Sequence, residues 1–210
     1  MSKSGIRAIL VANPKGGSGK TTLAVSLAGA LAATGQNVRL LDLDKQQSAT
    51  TWLARRAANL PPIWLFDRTR NTTGHEGWLI IDSPAGLHGK NLERALKLVE
   101  RVIVPIAPSL FDIEASRSFL TALQTEKVIR KERAFIGMVG MRVAPRTRAA
   151  SILESFLLEH NLPVLTHLQD TQAYINAAFE GKSVFDLPAR LTEREREQWQ
   201  PLLTWLTARQ

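Results

Sequence analysis

The chain has 210 residues, 44% hydrophobic and 22% charged, with 27 Lys and Arg against 19 Asp and Glu for a net charge of +8. That balance suits a globular chain long enough to bury a full core; no apolar run approaches the ~18 residues of a membrane-spanning helix, and the polar residues 1–5 lack the apolar stretch of a secretory signal. The absence of cysteine removes disulfides, thiolate metal ligands and cysteine nucleophiles, and His75, His88, His160 and His167 show no metal-ligand spacing.

Short apolar runs rich in Val, Ile and Leu predict strands over 8–12, 38–42, 63–66, 79–82, 102–106, 135–141 and 163–166. They are continuous in apolarity, as strands covered on both faces are. Helices are expected between them, over 20–33, 48–59, 91–100, 113–130, 148–159, 171–180 and 192–208. This alternation predicts an α/β fold, a mainly parallel, doubly wound sheet flanked by helices, in a single domain over 1–210. Gly35 suits the end of the first helix, because glycine reaches positive φ at little cost. Thr192 followed by Glu195 has the pattern of a capping box at the start of the last helix. A flexible loop is expected over 67–77, and no repeat, linker or low-complexity tract is present.

The segment Asn13-Pro14-Lys15-Gly16-Gly17-Ser18-Gly19-Lys20-Thr21-Thr22 follows the first strand and opens a helix whose Leu23, Leu27 and Leu31 predict one apolar face. Glycines let the backbone curl so that successive N–H groups converge on phosphate oxygens, and the helix N-terminus adds a favourable dipole. Lys20 is expected to neutralise the β- and γ-phosphates of ATP, and the Thr21 hydroxyl to reach Mg²⁺. The general P-loop pattern would place glycine at Pro14; here Lys15 precedes paired glycines instead.

Lys-Gly-Gly-x-Gly-Lys-Thr-Thr resembles the deviant Walker A motif of the ParA/MinD family of P-loop ATPases. The resemblance implies that Lys15 crosses a dimer interface to phosphates held by the partner subunit, and that residues 15–22 bind the nucleotide. Two further carboxylate motifs fit. Asp42 and Asp44, ending the second strand, look like switch I; the resemblance gives Asp44 the attacking water and a place at the metal, with Asp42 in the outer shell. Asp82, ending an apolar strand, looks like Walker B and would hold Mg²⁺ through water. With Lys15 and Lys20, Asp44 completes the implied catalytic set. Residues 83–87 are similar to switch II, and residues 105–109 to the family's proline-containing loop beside the base, which implicates Pro108. Met141 stands where relatives often carry a polar, adenine-contacting residue, Lys45 where many have proline, and Asp170 near a DNA-binding arginine of some members.

Within the family, the missing cysteines exclude iron–sulfur relatives, and the single tyrosine, Tyr174, excludes kinases with a tyrosine-rich tail. What the resemblance implies is a short ParA-type partition or positioning ATPase, cytoplasmic and nucleoid-associated. Its partners would be a second copy when ATP is bound, non-specific DNA, and a cargo-linked protein that stimulates hydrolysis; the cargo would be a plasmid, a chromosome or a protein organelle such as a carboxysome. Two other readings stay open: a MinD-like membrane-cycling ATPase, disfavoured by the mixed charge of residues 193–197, and a small-molecule ATP-dependent enzyme on the same fold. From Lys127 to Arg148 seven basic residues face one acid, Glu132. Lys127, Arg130, Lys131, Arg133, Arg142, Arg146 and Arg148 are therefore expected to form one phosphate-binding strip on DNA.

Overall fold

The computed structural model describes residues 5–67 and 76–208; most of the loop expected over 67–77 lies outside them. Seven strands form one all-parallel sheet: β1 (Ile6–Val11), β2 (Val38–Asp42), β3 (Ile63–Leu65), β4 (Gly77–Asp82), β5 (Arg101–Ile106), β6 (Phe135–Met141) and β7 (Val164–Leu168), in the order β3-β2-β4-β1-β5-β6-β7. The expected α/β class is the one observed. Side chains alternate between two cores, as the two-residue period of a strand requires. Ile9, Val11, Ile80 and Ile103 point to one face, and Leu10, Leu79, Ile81, Val102 and Val104 to the other.

The first core is covered by α1 (Lys20–Ala33), α2 (Ser48–Ala54) and α8 (Glu193–Thr207), and the second by α3 (Gly89–Leu96), α4 (Leu110–Thr125) and α6 (Arg148–Leu158). The short α5 (Lys127–Arg130) leads into β6, and α7 (Gln172–Phe179) follows β7. The expected one-sided α1 is instead buried all round, from Leu23 to Ala32. The segment over 181–186 lies directly on it: a Cβ built on Gly29 would sit 2.1 Å from Ser183 Oγ. A helix enclosed this way is apolar on every face.

Long-range contacts move three other boundaries. α2 stops at Ala54 rather than 59, because the Arg56 guanidinium turns back to the Pro61 carbonyl (3.0 Å) and grips Asp186 through two bonds of 2.9 and 2.7 Å. This ion pair is buried on both sides. The helix expected over 113–130 starts earlier, at Leu110, where Ser109 Oγ accepts the Asp112 N–H (3.2 Å), and it breaks at Glu126, whose ψ of 136° is extended. Thr192 does not cap α8; its hydroxyl donates to the Val184 carbonyl (3.1 Å), so the expected capping box is absent.

α8 closes the molecule. Trp199, Leu202 and Leu206 are fully buried, and Leu203 and Trp205 pack half-buried against the same core. Its C-terminal carbonyls, the negative end of the helix dipole, take up two cations: Arg7 donates to the Leu206 carbonyl and Arg101 to that of Ala208 (3.0 Å). Arg101 lies between the rings of Phe135 and Trp205, 5.2 and 5.0 Å from their centroids. The apolar side of this helix is thus committed to the core and not displayed as a stripe for lipid. No helix among the described residues is long and apolar enough to cross a membrane. Trp199→Ala should lower the unfolding free energy by about 3–5 kcal/mol, read by urea denaturation followed by circular dichroism; a loss under about 1 kcal/mol would show that α8 is only loosely applied.

Candidate nucleotide site

Parallel pairing sets the loops after β1, β2 and β4 on one edge of the sheet. Val11 pairs with Asp82, and Asp82 with Asp42, so the phosphate loop and both carboxylate motifs leave the sheet at the same level. Ligands of open α/β sheets bind at this carboxyl edge.

Asn13 anchors the loop. It is fully buried, its Nδ2 donates to the Pro105 carbonyl (2.8 Å) and to Ser116 Oγ (2.9 Å), and its Oδ1 accepts the Lys15 N–H (2.9 Å). The Pro14 carbonyl accepts the Gly86 N–H (3.0 Å), which ties switch II to the loop. Gly17 and Gly19 have φ of 77° and 93°, left-handed values that favour glycine. At Gly19 a Cβ would also lie 2.8 Å from Met141 Cε. Among the described residues, the backbone N–H groups of residues 16–22 have no hydrogen-bond acceptor. Seven consecutive donors free at the start of a helix form a nest for an anion.

Lys20 is buried and its Nζ donates to the Lys15 carbonyl (2.9 Å). Burial holds its pKa below the usual lysine value, against the pull of Asp82 and Asp44. A cation so placed gains by meeting phosphate. Thr21 Oγ1 donates to Asp82 Oδ2 (2.7 Å). Burial pushes the Asp82 carboxyl up to about 7; the Thr21 hydrogen bond opposes the shift and neighbouring Asp42 adds to it. Asp82 Oδ1 is buried without a partner. An orphaned carboxylate oxygen beside a hydroxyl, in a site that disfavours unbalanced negative charge, is a hard-oxygen donor set that fits Mg²⁺.

The two switch I carboxylates differ. Asp42, expected in the outer metal shell, gives both oxygens to backbone: Oδ1 accepts the Asp44 N–H and Oδ2 the Thr50 N–H, each at 3.0 Å. It braces the turn and the start of α2. Asp44 is half-buried at the cavity wall, with Oδ1 on the Gln46 N–H (2.9 Å) and Oδ2 free of partners among the described residues.

The cavity has a volume of about 1180 Å³ and runs from Gly16, Gly17 and residues 19–22 past Asp44 to Met141, Arg142 and Leu168, and on between α2 and α7 as far as Trp199. Of the residues expected at the site, Lys15, Ser18, Asp42, Asp82 and Pro108 do not line it. The loop over 105–109 instead holds Asn13 through the Pro105 carbonyl and starts α4 through Ser109. One wall is formed by Met141, Arg142 and residues 168–170, at the ends of β6 and β7 on the same edge. The carboxyl-edge rule could have found them from the strand order. Asn13 carried no such signal, since its partners lie 92 and 103 residues away.

The basic strip divides. All seven residues are exposed, but Lys127, Arg130, Lys131 and Arg133 precede β6 whereas Arg142, Arg146 and Arg148 follow it. Seven strand residues separate the groups by about 20 Å, at opposite edges of the sheet. Arg142 is also a neighbour of the phosphate loop, donating to the Gly17 carbonyl (2.8 Å).

Residues 9–184 match the family model for the CobQ/CobB/MinD/ParA nucleotide binding domain. The chain is 29% identical over 195 residues to maintenance of carboxysome distribution protein A of Gloeobacter kilaueensis, covering 85% of this chain and 83% of that one. It is 28% identical over 197 residues to the chromosome-partitioning ATPase Soj of Thermus thermophilus, covering 76% and 79%. Its fold is similar to that of a Cyanothece McdA–ATP complex, with a TM-score of 0.75 at 16% identity over 95% of this chain and 97% of that one.

Lys20→Ala should weaken MgATP binding by about a hundredfold, the upper range for bonds to a charged group, in a calorimetric titration. Unchanged affinity would show that the phosphates sit elsewhere.

Proposed function

The chain belongs to the CobQ/CobB/MinD/ParA family of nucleotide-binding domains and is an ATPase of the ParA/MinD type; from that premise we propose that it segregates or positions a cargo by closing into an ATP-bound homodimer that grips nucleoid DNA. The observation that carries this reading is Lys15. Its Nζ has no hydrogen-bond or ion-pair partner among the described residues, while its backbone is fixed from both sides, by Asn13 through the N–H and by Lys20 through the carbonyl. A second cation, presented rather than paired, suits phosphates on a facing subunit. Two nucleotides brought face to face concentrate negative charge that such a cation offsets.

Thr21 and Asp82 would hold Mg²⁺, which when bound supplies positive charge beside the phosphates. Asp44, with a free oxygen at the cavity wall, is assigned to orient the attacking water. Asp42 keeps that carboxylate in place through its bonds to the Asp44 and Thr50 amides.

The division of the basic residues restricts the DNA surface. A dimer that closes over the phosphate loops brings Arg146 and Arg148, on the same edge of each sheet, toward the seam. Lys127, Arg130, Lys131 and Arg133 are carried to opposite poles, where they cannot act on one duplex together. Dimer closure therefore brings together the contacts of Arg146 and Arg148 only, doubling them on one duplex. Log affinity falls with log salt by about 0.9 per phosphate contact, so doubling makes a switch out of individually weak bonds. The carboxysome and chromosome relatives support a cargo of that kind, reached through a cargo-linked protein that accelerates hydrolysis and releases the dimer. Commitment of the apolar side of α8 to the core favours this output over membrane cycling.

With MgATP, wild-type chain should sediment as a dimer and bind two unrelated duplexes equally, with a steep salt dependence. Lys15→Ala should stay monomeric and lose that binding, and DNA binding that is as tight with ADP as with ATP would contradict the switch. Asp44→Ala should trap the dimer, with turnover reduced about ten- to a thousandfold in a phosphate-release assay; wild-type turnover would transfer the role to another group.

A further inference from the structure

Before the first helical bond of α1, which the Gly19 carbonyl accepts from the Leu23 N–H, three carbonyls of the phosphate loop are held. The Pro14 oxygen takes the Gly86 N–H, the Lys15 oxygen takes Lys20 Nζ, and the Gly17 oxygen takes Arg142 Nη2 at 2.8 Å. The hold on Lys15 ends when Lys20 turns to phosphate. The hold on Gly17 comes from a different strand and does not depend on Lys20.

Arg142 is fixed for this task by its neighbours. Met141, the last residue of β6, packs against Gly19. Val143 is buried and its N–H donates to the Leu168 carbonyl (3.0 Å). Between these two anchors Arg142 adopts φ of 54°, left-handed and unfavourable for a side chain of this kind. The strained backbone carries the guanidinium to the cavity edge beside the loop.

The consequence follows from peptide planarity. In a trans peptide the C=O and the next N–H point in opposite directions, so fixing the Gly17 carbonyl also fixes the direction of the Ser18 N–H. Gly17, with no Cβ, leaves that peptide freer to rotate than one held between two residues with side chains. We propose that Arg142 is a positioning residue: through the Gly17 carbonyl it sets the Ser18 amide in the orientation that receives phosphate before nucleotide arrives. This inference rests on the nucleotide reading of the site and removes Arg142 from the DNA surface.

The test compares Arg142→Ala and Arg142→Lys with wild type. In the ligand-free chains, the Ser18 amide resonance should shift in Arg142→Ala and return toward its wild-type position in Arg142→Lys, which keeps one charged donor. Affinities for pyrophosphate and for MgATP should both fall about tenfold in Arg142→Ala, and Lys should restore most of the loss. An unshifted Ser18 amide in ligand-free Arg142→Ala would overturn the proposal, because a residue that only touches bound nucleotide leaves the empty loop alone. Loss of MgATP affinity with pyrophosphate unaffected would also overturn it, in favour of a contact to base or ribose. A wild-type chain that binds neither ligand would defeat the nucleotide reading itself and this inference with it.

Discussion

The free backbone N–H groups of residues 16–22 are the constraint around which this molecule is organised. The first N–H groups of any helix lack intrahelical partners and turn to water, caps or ligands; seven in succession on a loop curled by glycines suit an anion. Everything near them keeps the loop open. Asn13 fixes where it begins, positive-φ glycines turn it, Met141 packs against Gly19, and an all-round buried α1 lies beneath it. The charges beside it are balanced for occupancy too. Lys20 is held below the usual lysine pKa and Asp82 above the usual carboxylate range, each chiefly by burial. Phosphate and a divalent cation relieve both.

The same loop region connects mechanically to distant parts of the fold. Asp42 holds the start of α2 through Thr50, the Trp52 indole donates to the Lys182 carbonyl (3.1 Å), and Arg56 pairs with buried Asp186. From there Arg196 reaches back from α8 to the Phe185 carbonyl (2.8 Å). The turn after β2 is therefore joined to α8 by a continuous set of polar contacts at the rim of the first core. Breaking a buried pair such as Arg56–Asp186 leaves an uncompensated charge and costs about 3–5 kcal/mol, so this chain of contacts stiffens the rim of the first core.

Local chemistry was readable in the sequence, and long-range chemistry was not. β2, β6 and α1 have the expected limits, because apolar runs bounded by glycine and polar residues carry their own boundaries. The phosphate loop, Asp44 and Asp82 could be grouped from the sequence because each ends or follows an apolar strand, and β1, β4 and β2 are neighbours in the sheet. The end of α2 depended on Asp186, 130 residues away, and the fixing role of Asn13 on residues of β5 and α4. Pro108 was placed beside the base by resemblance alone; here its loop holds Asn13 through the Pro105 carbonyl and starts α4 through Ser109. The basic residues looked like one strip because 127 and 148 are close in number; a full strand stands between the two groups.

The central claim is that residues 16–22 form the phosphate receptor, and amide hydrogen exchange measured with and without magnesium and a non-hydrolysable ATP analogue tests it most directly. The account predicts rapid exchange of these amides in the free chain and strong protection on binding, greater than at any other exposed segment. Binding that protects other segments while residues 16–22 exchange at an unchanged rate would contradict it.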